Sequence, residues 1–235
     1  MKKTIFIILL AFLILSLGLA NINVAKGSTA ANTEIERYID SSDRIVEIVS
    51  NSIITLPKLN MLGSEIIASL ITKVEKYSSF VLDYTQDIET EGEALFDDLM
   101  DGYRSTRKLV FLAKSINSLT VSQQTAHELI NTVDIYLDEE KSEVSDYDIF
   151  KDALDEQRNM LDNNLSTIED LTSNIISSVS IDRDSYTNDI NNLLSLRSQL
   201  RETIDIYLEV SDEIINISEN IVDAENSSAS SDHGM

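Results

Sequence analysis

One proline, Pro57, is all that these 235 residues contain, and glycine occurs only six times. Sandwiches and barrels need turn residues every ten or so positions, and this chain does not supply them. Long helices need no such punctuation. Apolar residues make up 43% of the chain, enough to build a core and unlike a disordered acidic tail. The expectation is an all-α fold without a sheet, an elongated antiparallel bundle of about four to six long helices.

Periodicity places those helices. Thr33-Glu34-Ile35-Glu36 reads as a capping box, and Ile35, Ile39, Ser42, Val46, Val49 and Ile53 follow at spacings of three and four. Leu56-Pro57-Lys58 closes this helix, because the residue before a proline is pushed out of the helical region. A second stripe runs through Leu62, Ile66, Leu70, Val74, Tyr77, Val81, Tyr84, Ile88, Leu95, Leu99 and Tyr103, with Gly92 and Gly102 as points of breakage or bending. Thr120-Val121-Ser122-Gln123 offers a further capping box ahead of Leu129, Ile130, Val133 and Leu137.

Ser142 to Ser145 and Ser180 to Ser185 read as turns, with Leu154, Leu161, Leu165, Ile168, Leu171, Ile175 and Val179 between them. In the last helix one heptad position is apolar throughout: Leu193, Leu200, Tyr207, Ile214 and Ile221. Its partner position is taken as Ile190, Arg197, Ile204, Ser211 and Ser218. The link between segments 146–179 and 184–223 is too short to do anything but reverse the chain, so these segments pack antiparallel. Leu161, Leu165, Ile168 and Ile175 are then expected to face Leu193, Leu200, Ile204 and Tyr207.

The N-terminus speaks to location. Met1-Lys2-Lys3 precedes an unbroken apolar run from Ile5 to Leu15, and small residues follow at Gly18, Ala20, Ala25, Gly27 and Ala30. Residues 1–20 therefore read as a signal peptide or an N-terminal membrane anchor. Either one puts the body outside the cytoplasm, secreted or tethered, with membrane contact only through residues 1–20 if they are uncleaved. Residues 21–32 are expected to be a linker, 33–225 the helical bundle domain and 226–235 a disordered tail.

Chemistry-bearing patterns are sparse. Cysteine is absent, which excludes disulfides, zinc–thiolate sites and thiol nucleophiles. The net charge of −23 disfavours a nucleic-acid partner, which would need clustered cations. His127 does not complete a ferritin-like Glu-x-x-His pair, because position 124 is Gln124. Neither a Gly-rich phosphate loop nor a Gly-x-Ser-x-Gly elbow occurs. Asp182-Arg183-Asp184-Ser185 begins like a calcium loop, but Thr187 replaces the glycine and Leu193 the final Glu. These residues suit a helix cap better. Asn164, Asn216 and Asn226 open glycosylation sequons, as many as chance supplies in a chain this rich in Asn, Ser and Thr. No catalytic, cofactor-binding or metal-ligating residue is assigned, and no enzyme activity or cofactor is expected.

Three patches carry the remaining interest. The acidic run from Asp83 to Asp101 contains no Lys or Arg, and reads as a solvated helix face or a divalent-cation site. Arg104, Arg107, Lys108 and Lys114 form the one basic cluster, either counter-charge for neighbouring acids or a dock for an anionic partner. Residues 52–71 are the most apolar stretch after the leader, a bundle corner or a membrane-inserting hairpin. Together these point to a secreted or surface-tethered, non-enzymatic helical scaffold or interaction protein with an unspecified protein partner. The alternative is a ligand-sensing extracytoplasmic helical bundle, and a remoter one a divalent-cation-binding or membrane-inserting helical protein.

Overall fold

Apolar side chains recurring at three and four residues give a helix one sticky face, and burying that face is what makes helices this long stable. A computed structural model describes the backbone of residues 34–141, 144 and 146–231. Side chains at 34–40, 42–43, 85–94 and 226–231 fall outside the description. The leader and linker expected over residues 1–32, and the Thr33 cap, lie outside the described residues.

The fold is all-α. Among the described residues four α-helices, α1 (Glu34–Thr55), α2 (Ser64–Glu139), α3 (Tyr147–Ser177) and α4 (Tyr186–Ser231), are joined by short connections, two of which carry 3-10 turns at Leu56–Lys58 and Arg183–Ser185. No strand occurs among the described residues. Pro57 ends α1 as expected. The expected turn at 180–185 falls between α3 and α4, and of the one expected at 142–145 only residue 144 is among the described residues. The capping box at Thr120 is not used, because α2 runs through it. Leu119, Ser122 and Gln123 are all buried there, so core packing holds the helix through a sequence that would cap an isolated one. At the other end, α4 continues past Asn226 to Ser231, where a disordered tail was expected, and residues 232–235 lie outside the described residues.

The chain packs as two compact units. The first holds the described residues up to Ser118 together with Thr172–Arg197. Within it, α2 is not a straight rod. The Tyr77 hydroxyl donates to the Leu99 carbonyl at 2.7 Å, whereas the intervening 22 residues of straight helix would hold them about 33 Å apart. Met61 N, just ahead of α2, also donates to Asn117 Oδ1 at 3.0 Å. The chain therefore reverses between Tyr84 and Leu95, and the two arms of α2 run antiparallel. Leu70, Val74, Tyr77, Val81 and Tyr84 line the first arm, and Leu99, Leu109, Leu112 and Ile116 the second, all buried. Ile45, Val49 and Ser52 are the buried line of α1, carried on by Leu56 in the 3-10 turn, a rotation from the expected stripe that leaves Val46 and Ile53 half-buried.

The second unit comprises Leu119–Leu171 and the chain from Ser198 onward. The Asn164 side-chain amide donates to the Thr203 carbonyl at 3.0 Å, and in the first unit Asn192 donates to the Ser178 carbonyl at 2.6 Å. Around the turn at 180–185 the Ser178 carbonyl accepts from Asn192 and Ser180 N donates to Asp189, so within the first unit the chain reverses from α3 into α4, antiparallel as expected. The facing residues differ in part. Leu161, Ile168, Ile175, Leu193, Leu200 and Tyr207 are buried, but Leu165 and Ile204 are only half-buried. The partner line along α4 is Leu196, Thr203, Val210 and Ile217, all buried, and not the Ile190–Ser218 series. Each apolar burial contributes about 1.5–3 kcal/mol.

Candidate functional site

The turn between α3 and α4 is the most tightly tied loop of the first unit. Ile181 has φ +55°, a left-handed conformation that costs a β-branched residue about 1–3 kcal/mol. Asp189, only 2% exposed, holds it there. Its carboxylate accepts from Ser180 N at 3.1 Å, Ile181 N at 2.7 Å and Ser185 Oγ at 3.1 Å. Lys73 donates to the Val179 carbonyl and Lys76 pairs with Asp182. Burial holds the Lys73 ammonium below the usual lysine range, with Asp189 opposing that shift. Arg183 reaches Asp98 at 2.6 Å, and burial raises the Tyr186 hydroxyl well above the ordinary tyrosine range. The calcium-like Asp182–Ser185 segment is a capping box on the 3-10 turn that leads into α4, with the Asp182 N–H donating to Ser185 Oγ at 3.1 Å.

Beyond that turn, α4 lies along the second arm of α2, and the two helices enclose a groove of about 310 Å³. Tyr103, Arg104, Arg107, Lys108, Phe111 and Leu112 come from α2, and Leu193, Leu194 and Arg197 from α4. Helical spacing sets the roles. Leu112 and Leu193 form the buried floor, each 1% exposed. Phe111 and Leu194 stand as apolar walls, 41% and 45% exposed. Arg104, Arg107 and Arg197 are exposed and Lys108 half-buried around them. Arg104 bonds Asp101 at 2.7 Å, while Arg107, Lys108 and Arg197 have no ion-pair partner among the described residues. In a chain of net charge −23, these cations make the groove locally electropositive beside its apolar walls.

Three members of the expected basic cluster therefore converge, Lys114 lies outside the groove lining, and Arg197 joins from another helix. Among the described residues, an acidic neighbour of these groove cations pairs with Arg104 alone. Arg197 was visible in the sequence as the one cation in the heptad series Ile190, Arg197, Ile204, Ser211 and Ser218. Asp189 carried no comparable signal, since its role depends on a turn folding back over it.

Other candidates resolve into structure. Asp98 and Asp101 of the acidic run are engaged by Arg183 and Arg104, and residues 85–94 have no described side chains. Among the described residues, no group of three or more His, Asp or Glu gathers as a metal site. His127 is half-buried, 3.5 Å from the Asp162 carboxylate. In the second unit, Asp134 bridges Lys151 and Arg158, and Asp138 takes bonds from Tyr147 at 2.5 Å and Lys151 at 3.1 Å. These bonds hold the Asp138 carboxyl below its usual range and clip the start of α3 to α2. The apolar stretch 52–71 forms a corner with Leu56, Leu59 and Leu62 buried. Among the described residues no helix is long and apolar enough to cross a membrane. Comparison of the chain with protein-family models, curated proteins and solved structures finds no match.

Proposed function

We propose that this chain is a non-enzymatic helical scaffold or interaction protein that works outside the cytoplasm, secreted or tethered by residues 1–20, and meets its partner through helix faces. The observation that carries the reading is the groove between α2 and α4. Its lining supplies cations to hold an anion and apolar walls to cover a hydrophobic body, which is the chemistry of binding and not of proton transfer. The three-and-four spacing of buried residues along α2, α3 and α4 supports coiled-coil-like packing, a rigid frame on which such a face stays preorganised. The positive n-region and apolar run of residues 1–20 support export.

Fractionation of cells expressing the full chain, beside a chain lacking residues 1–20, tests the location. The full chain is expected outside the cytoplasm or in the membrane fraction, and the shortened chain in the cytoplasm. Equal cytoplasmic recovery of both contradicts the reading.

A further inference from the structure

We infer that the groove between α2 and α4 is a binding site for a small amphiphilic anion, a carboxylate on an apolar body. The inference rests on the reading of the chain as a binding protein and names the class of ligand. Charge is the first argument. Lys and Arg number 18 against 41 Asp and Glu, yet Arg104, Arg107, Lys108 and Arg197 converge on this groove. Of these only Arg104 is neutralised by a described carboxylate. An arginine fork matches a carboxylate geometrically, and a charge-assisted bond is roughly twice as strong as a neutral one.

Apolar surface is the second argument. Phe111 and Leu194 are left half-open beside those cations, over a floor of Leu112 and Leu193. An inorganic anion would leave that surface wet, and a neutral hydrocarbon would leave the cations unmatched. An amphiphile satisfies both.

Size excludes a long acidic peptide. The α2 lining runs from Tyr103 to Leu112, about 14 Å of helix. An extended peptide of more than about four residues overruns that length at about 3.3 Å per residue. At its N-terminal end it meets the exposed Asp97 on the same arm, which repels it, Asp101 and Asp98 being paired with Arg104 and Arg183. A volume of about 310 Å³ sits at the lower end of small-molecule pockets, which span about 300–1,000 Å³.

Isothermal titration of the full chain with decanoate tests this, beside acetate, decyltrimethylammonium and hexaglutamate. Saturable one-to-one binding of decanoate is expected, with acetate and the cationic amphiphile at least about tenfold weaker. Arg107→Gln with Arg197→Gln should weaken decanoate by about tenfold or more, and Leu194→Asp should do the same from the apolar wall. Lys114→Gln, outside the lining, should leave it unchanged. All of these side chains are exposed, so unchanged circular dichroism is expected throughout. No saturable decanoate binding, equal binding of the cationic amphiphile, tighter binding of hexaglutamate, or indifference to the arginine variants would each overturn the site. Such a failure with the full chain still exported would remove this ligand and leave the interaction-protein reading standing.

Discussion

Gly102 lies mid-helix in α2, where alanine ordinarily stabilises by about 1 kcal/mol. Here the expected sign is opposite. A Cβ at 102 would sit 2.5 Å from Tyr77 Cε2, 2.7 Å from Tyr186 Cζ and 2.8 Å from Tyr186 Cε2. Neither ring has room to retreat. Tyr77 is fully buried with its hydroxyl bound to the Leu99 carbonyl, and Tyr186 is 3% exposed with its carbonyl accepting from Ser105 at 3.2 Å. The rings also brace each other edge-on, with centroids 6.1 Å apart. Overpacking a core costs about 1–3 kcal/mol, occasionally more, and contact with two pinned rings belongs at the upper end. Setting about 3 kcal/mol of strain against the propensity gain leaves Gly102→Ala about 2 kcal/mol less stable. Urea melts followed by far-UV circular dichroism should show a lower midpoint at unchanged slope. A midpoint at or above wild type would refute the packing derived for Tyr77 and Tyr186. Gly63→Ala is the contrast. Nothing lies within 4 Å, but φ is +78°, so the expected loss of about 1–2 kcal/mol comes from the backbone alone.

Leu200→Asp places a carboxylate at a site 3% exposed and should cost on the order of 4 kcal/mol. Exposed Glu202→Ala should cost under about 0.5 kcal/mol in the same melts, and equal midpoints would void the α4 register. Asp189→Ala strips the acceptor from Ser180 N, Ile181 N and Ser185 Oγ, for a loss of about 3 kcal/mol. A wild-type melt would mean that the turn holds itself. Asp138 has its carboxyl lowered by bonds from Tyr147 and Lys151, so its contribution is full above the unfolded value of about 3.9 and fades as pH falls through the lowered folded value. Asp138→Asn should flatten that acid limb, and an unchanged fall below about pH 4 would show that other carboxylates govern it.

The sequence carried the fold class because its signals were global. Scarce proline and glycine and repeated three-four spacing bear on every helix at once. The heptad line Leu193–Ile221 was legible for the same reason, and all five of its residues are buried. Its partner was misread because Thr203 sits in the true line, while Ile190 and Ile204 draw the eye to a flank that is only half-buried. The reversal inside α2 was only half visible. Gly92 marks its neighbourhood, but helix-forming residues continue on both sides and the spacing never lapses. The groove was half visible too. Arg104, Arg107 and Lys108 share one helix face and could be read directly, whereas Arg197 comes to them only when α4 lies along α2.

Native mass spectrometry of the protein purified without denaturation from whole cells and medium tests the central claim most directly, because one spectrum reports both the mature N-terminus and any bound mass. The account predicts a chain beginning between Ala20 and Ala31, or a membrane-associated chain with residues 1–20 intact, carrying a noncovalently bound anion or partner. A soluble cytoplasmic chain starting at Met1 and flying with its bare mass would contradict it.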